Sequence, residues 1–240
     1  MRLVVLTDIH ANLSALEAAL HEIEQQGYDL LVHTGDVIGI GPFPAECLAR
    51  LCSLPRVQLI LGNHDAWFAQ GLPDPIPAWM SEGEVAHQQW THAQLDPSLR
   101  AEVATWPLLH TQEFAGLSCT FLHYALTDTQ DWQPIVREPT VADLDRLFAK
   151  VPATLIFYGH HHPFSDLQGR ARYINPGSLG CASTSIARYT SVEIQDGMYT
   201  IRHHQVPYDD APLYQAFEQR RVPERTFIYR AFFGGRFGSS

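Results

Sequence analysis

The chain has 240 residues, 45% hydrophobic and 18% charged, a balance that argues for a globular protein and against disorder. A formal net charge of −10 excludes the positive footprint that long nucleic acid requires, so an anionic ligand would need a local positive centre such as bound metal. No apolar stretch is long enough to span a bilayer, and Cys47, Cys52, Cys119 and Cys181 lack zinc-finger spacing, so membrane insertion is not expected and the thiols are expected to be reduced.

Leu3–Thr7 reads as a buried strand, interrupted by Asp8 before it reaches signal-peptide length; with no small-residue cleavage site after it, a cytoplasmic protein is expected. Next, Leu13, Leu16, Leu20 and Ile23 recur at intervals of three and four, with Asn12 before them and Gly27 after, which predicts an amphipathic helix. DLLVHTGD is a second strand, PAECLARLC a short helix and VQLILGNHD a third strand. This alternation predicts an α/β fold, a sheet flanked by helices. Residues 66–116 change character: Pro73, Pro75 and Pro77 break the chain, and two helical stretches follow, which predicts a helical cap insertion over one sheet edge. LSCTFLHYAL, TLIFYGHHH and RYINPGS are further strands, VADLDRLFAK is a helix, and Tyr189–Val206 is a hairpin turning at Asp196-Gly197. The tail from about 208 is aromatic with little periodicity, and GGRFGSS is expected to fray. No linker divides the chain, so one domain over 1–240 is expected.

The chemistry collects where strands end. The successive ends carry Asp8 and His10, then Asp36, then Asn63, His64 and Asp65; His123 lies on the fourth strand, and His160, His161 and His162 close the fifth. In open α/β folds ligands gather at such ends. Asp8 and His10, like His160 and His162, are two apart, so in extended chain both members of each pair point one way and His161 the other. Carboxylate plus imidazole ligation suits manganese, iron, zinc, cobalt or nickel. Six or more donors exceed one tetrahedral zinc, so two cations about 3.5–4 Å apart bridged by a carboxylate explain the number better. Read alone, His123 is a packed core histidine and Asp65 a helix cap. His33 is expected to be packed, Asn12 to be a helix cap, and Trp79, Trp90 and Trp106 to be cap core rather than a base-stacking platform.

These blocks, D-x-H, G-D, G-N-H-D, H and G-H-x-H in that order over residues 8–162, resemble the calcineurin-like metallophosphoesterases. DIHANLSALEAAL, GDVIGIGPFPAECL, INPGSLG and VPYD extend the resemblance, to about residue 210, toward the small bacterial and archaeal phosphodiesterases, the diadenosine tetraphosphatase-like branch. It implies a sandwich of two mixed β-sheets flanked by helices. It implies a phosphodiesterase or phosphatase that uses two divalent ions, manganese favoured for activity, to attack a small phosphate ester with a metal-bridging hydroxide. The substrate would be small, such as a nucleotide or dinucleoside polyphosphate. Carried over, Asp8, His10 and His162 bind one ion, Asn63, His123 and His160 the other, and Asp36 bridges both. His64 lies over the phosphate and protonates the leaving oxygen, and Asn63 and the Gly39 loop border the substrate.

Three departures stand out. Where some relatives have G-D-x-x-D-R-G this chain has Gly35-Asp36-Val37-Ile38-Gly39-Ile40-Gly41, which weighs against phosphoprotein substrates. Cys181-Ala182-Ser183 replaces a Gln-Pro-Arg run, so an expected phosphate-binding arginine is absent there; Arg188 is a candidate substitute that no sequence pattern assigns. Tyr124 follows His123 where small residues are usual, which places a ring at the site mouth. The alternative function is a non-catalytic metal-binding or scaffold protein on the same fold, and retention of His64 and all the ligands favours the enzyme.

Overall fold

The structure, a computed structural model, describes residues 1–236; the end of the GGRFGSS segment, residues 237–240, lies outside them. The strands are β1 (Arg2–Leu6), β2 (Leu30–His33), β3 (Val57–Leu59), β4 (Leu109–Phe114), β5 (Leu117–Leu122), β6 (Leu155–Phe157), β7 (Ser165–Gln168), β8 (Arg172–Asn175), β9 (Ile186–Gln195) and β10 (Met198–Pro207). The helices are α1 (Leu13–Gln26), α2 (Pro44–Cys52), α3 (Asn63–Gln70), α4 (Glu82–Ala93), α5 (Leu99–Val103), α6 (Val141–Leu147), α7 (Ala211–Gln219) and α8 (Arg225–Phe232). None is long and apolar enough to cross a membrane.

Two five-stranded sheets form, in the orders β10-β9-β1-β2-β3 and β4-β5-β6-β8-β7. In the first, β1, β2 and β3 run parallel and β9 is antiparallel to β1; in the second, β5, β6 and β8 run parallel and β4 and β7 are antiparallel edges. Alternating side chains sort the core. Leu3 and Val5 face Phe121, Leu155, Phe157 and Ile174 between the sheets, while Val4 and Leu6 turn outward onto Leu16, Leu20 and Ile23 of α1. The outer face of the second sheet is covered by Leu144 and Phe148 against Ile156 and Tyr173. The carboxyl ends of β1, β2, β5 and β6 therefore meet at one edge of the sandwich.

The hairpin turns as expected, with both Asp196 and Gly197 at positive φ. Two strands escaped the sequence reading because both are polar edges: β4, which falls inside the expected helical insertion, and β7. The tail is helical rather than aperiodic. Its Leu213, Phe217, Ile228 and Tyr229 bury a separate small core with Ile40 and Cys181.

Candidate metal centre

Asp36 sits at the middle of the site. Its Oδ2 lies 3.8 Å from His10 Nε2 on one side and 3.3 Å from His123 Nε2 on the other. Around His10, the His162 Nε2 is 2.9 Å away, and Asp8 Oδ1 is 3.7 Å from both imidazoles. Around His123, Asn63 Oδ1 and His160 Nδ1 each lie at 3.1 Å. Every expected ligand is thus brought together, in two groups that share Asp36. Each group draws on both sheets: Asp8, His10, Asp36 and Asn63 follow strands of the first, and His123, His160 and His162 follow strands of the second.

The backbone reason for this convergence differs from the extended alternation the spacing suggested. Asp8, His10, Asp36, His160 and His162 all adopt left-handed backbones, with φ between 47° and 69°. Non-glycine residues rarely occupy that region, and where they do it marks a site whose surroundings enforce it. The side chains converge because each strand end coils into a tight turn. His161, between two such residues, lines the cleft.

A second tier of contacts fixes the donors. Thr7 Oγ1 donates to Asp8 Oδ2 at 2.7 Å, and the His160 N–H donates to the same carboxylate. The fit leaves no room at residue 159, where a Cβ would lie 1.9 Å from Thr7 Oγ1, so only glycine can precede His160. His123 donates from Nδ1 to Thr34 O at 2.9 Å, which turns Nε2 toward Asp36. Asp65 does more than cap α3. Buried at 1% exposure, it accepts from the N–H groups of Asp36, Val37, Ile38 and Gly62 and so fixes the loop that carries Asp36. Asn12 caps α1 through Ala15 N and also donates to Gly180 O, tying the first strand end to the Pro176–Cys181 loop.

Burial dominates the electrostatics. It raises the Asp8 carboxyl to about 7, and lowers His160 to about 3, His162 to about 4 and His10 well below the ordinary range. Burial works in the opposite sense on the Asp36–His123 pair, but their mutual attraction overrides it, so His123 rises to about 9 and Asp36 falls well below the usual carboxylate range. Among the described residues neither Asp8 nor Asp36 has a lysine or arginine partner. Asp36 has the raised His123 as its counter-charge, but Asp8 is left beside His10, His160 and His162, which stay neutral, so the two buried carboxylates are under-compensated and a cation supplies what is lacking. The donor set therefore fits divalent metal: Asp8, His10 and His162 with Asp36 could hold one ion, and Asn63, His123 and His160 with Asp36 a second. The sulfur of Cys181 lies within 4.8 Å of donor nitrogens of His10 and His162, a proximity the sequence did not signal.

The site opens into a cleft of about 1510 Å³. His64 lines it, and Gly39 lies behind the His64 ring. Trp67, Trp79, Trp132, Ile135, Phe164 and Phe232 give the cleft apolar walls, with Arg137, Arg188 and Arg230 among them and Glu84, Asp131 and Glu138 as acidic members. Trp79 is 66% exposed and belongs to this wall, not to a cap core, with its ring 6.2 Å from that of Trp67; Trp106 is the buried one. Tyr124 is also displaced from its expected place. It is 1% exposed, accepts from Val136 N and packs on Phe148 and Tyr158, so it backs His160 and does not narrow the mouth. His33 is packed as expected.

A family model described as the calcineurin-like phosphoesterase superfamily domain matches residues 1–197. The chain is 26% identical to an uncharacterized protein of Methanocaldococcus jannaschii, over 92% of this chain and 94% of that protein. In fold it is similar to a hypothetical protein of Pyrococcus horikoshii, with TM-score 0.81 and 18% identity over 98% of each chain. It is likewise similar to a metallophosphoesterase from Sphaerobacter thermophilus, with TM-score 0.72 and 22% identity over 96% of this chain and 97% of that one.

Proposed function

The chain belongs to the calcineurin-like phosphoesterase superfamily and is a metal-dependent phosphoesterase, and from that premise we propose that it uses two cations sharing Asp36 to hydrolyse a small phosphate ester, a nucleotide or dinucleoside polyphosphate. The observation that carries this reading is the pair of buried donor groups meeting at Asp36 Oδ2, 3.8 Å from His10 and 3.3 Å from His123, with no lysine or arginine counter-ion among the described residues. When bound, the cations supply a water-derived nucleophile at neutral pH and neutralise charge on phosphate oxygens.

The chain's own residues do the rest. Asn63 and His64, at the start of α3, border the place where a phosphate would sit. His64 presents a ring nitrogen to the cleft, suited to donate to a phosphate oxygen and to protonate a departing alkoxide. The flat aromatic rings of Trp67, Trp79, Trp132 and Phe232 favour a substrate with a π-face, since stacking on such rings contributes about 1–3 kcal/mol per base. Arg188, on β9, takes the phosphate-binding role left open at Cys181–Ser183, and Arg137 and Arg230 offer further anion contacts in the cleft.

The test is hydrolysis of p-nitrophenyl phosphate and bis-p-nitrophenyl phosphate with manganese and the other candidate metals, before and after chelation, followed by dinucleoside polyphosphates. Turnover that chelator abolishes and manganese restores is expected. No metal-dependent turnover of any of these would leave the non-catalytic alternative standing.

A further inference from the structure

The ring of His64 is held by parts of the chain that are far apart in sequence. Trp67 and His10 meet it edge-on, with centroids 4.9 and 5.2 Å away. Its Nδ1 has one polar partner among the described residues, the side-chain amide of Gln88, whose Nε2 lies 2.8 Å away. Gln88 sits on α4 in the helical insertion, 1% exposed, one turn after Glu84, which lines the same cleft.

The loop beneath His64 cannot supply that partner. Residue 39 is glycine at φ +84, and a Cβ there would lie 2.4 Å from His64 Nδ1. In the G-D-x-x-D-R-G pattern that this chain lacks, the second acidic residue falls at this position. Glycine therefore clears the space against Nδ1, and Gln88 reaches in from above to take the bond. Packing alone does not account for a glutamine here. Its Oε1 is buried with no hydrogen-bond partner, an arrangement that an apolar side chain of the same size would avoid.

We propose that Gln88 is the positioning residue for His64, fixing its ring from the insertion so that Nε2 faces the phosphate ester; this rests on the role proposed above for His64. An amide suits the task in both protonation states. Its amino group donates to an unprotonated Nδ1, and turned over its carbonyl accepts from Nδ1–H. Nε2, which has no protein partner among the described residues, is presented to the cleft either way. The helical insertion thereby becomes part of the catalytic machinery: α4 must be seated for His64 to be aimed.

The test compares Gln88→Leu, Gln88→Glu and His64→Ala on two substrates. One is p-nitrophenyl phosphate, whose phenolate leaves without a proton, and the other is glycerol phosphate, whose alkoxide needs one. Metal content is measured alongside. Gln88→Leu should lose about tenfold in kcat on glycerol phosphate, the effect of one aligned hydrogen bond. It should lose less than about threefold on p-nitrophenyl phosphate, with metal content unchanged. Gln88→Glu, which can accept from Nδ1–H, should recover most of the loss. In a His64→Ala background, Gln88→Leu should add nothing. Equal losses on both substrates, loss of metal, or a full additional loss in the His64→Ala background would each overturn the proposal, as would parent-like kinetics. If His64→Ala itself shows no leaving-group dependence, the role proposed for His64 fails; if it does and Gln88→Leu does not, only the role of Gln88 fails.

Discussion

Replacing Asp65 by alanine tests whether the loop under the metal centre is held from below. The carboxylate accepts from four backbone N–H groups, those of Asp36 at 2.8 Å, Val37 at 3.1 Å, Gly62 at 3.2 Å and Ile38 at 3.3 Å. Its own exposure is 1%, so water reaches these donors poorly once it is gone. Leaving each buried donor unpaired costs on the order of 1 kcal/mol at the low end, or about 4 kcal/mol together. That is a large part of the roughly 5–15 kcal/mol that holds a typical domain folded. For a chain of this length each kcal/mol moves the melting temperature by about 2–4 °C, so Asp65→Ala should melt about 8–16 °C lower. Asp65→Asn keeps one accepting oxygen but turns an amino group toward the other donors, and should fall between. Thermal unfolding of the metal-loaded proteins reads the shift, and elemental analysis reads whether Asp36 still helps retain metal. A melting temperature within about 3 °C of the parent, with full metal content, would refute the reasoning.

Other outcomes follow from the same geometry. His64→Ala should retain metal while losing roughly 10²–10⁴ in kcat, the range of a general acid, whereas Asp36→Asn should lose metal as well; an emptied site in His64→Ala would contradict the assignment. Affinity for the ion held by Asp8, His10 and His162 should weaken as pH falls below about 7, because burial raises the Asp8 carboxyl to about 7 and a proton then competes with the cation, while His10 and His162 are already neutral; the ion held by His123 should weaken already below about 9, where that imidazole takes up its proton. The fall should approach about tenfold per pH unit, and titration calorimetry showing affinity constant between pH 5.5 and 7 would count against it. Trp79→Ala, at an exposed cleft position, should raise KM for a nucleotide substrate by about fivefold or more through lost stacking yet leave p-nitrophenyl phosphate turnover intact; equal effects on both would rule out a base-stacking role.

Much of the site was legible because each donor stands where an apolar run stops, and the stops recur in a fixed order. Asp8, Asp36 and His160 could be named from the sequence for that reason. How they converge was not legible, since φ/ψ leaves no mark on spacing: an extended D-x-H and a left-handed one have the same letters. Asp65 read as a helix cap because its capping role is local and its hold on residues 36–38 is not. Gln88, Trp67 and Trp79 were missed for a related reason. They act from an insertion whose seating on the sandwich depends on tertiary packing, and their sequence neighbours show no pattern that points at His64. β4 and β7 were lost because edge strands carry polar residues that blur the period-two signal.

The division of each donor group between the two sheets has a mechanical meaning. A cation seated between Asp8 and His162 would tie together points 154 residues apart, and one between Asn63 and His160 would tie points 97 apart, as 162 − 8 and 160 − 63 give. Closing loops of that length removes chain entropy worth about 4–5 kcal/mol apiece, by the same loop-closure reasoning that applies to disulfides. In a chain whose cysteines are all free, the ions would be its cross-links. Metal supply would then govern more than turnover: a starved chain would be slower to close its sandwich, easier to pull open and quicker to reach a protease.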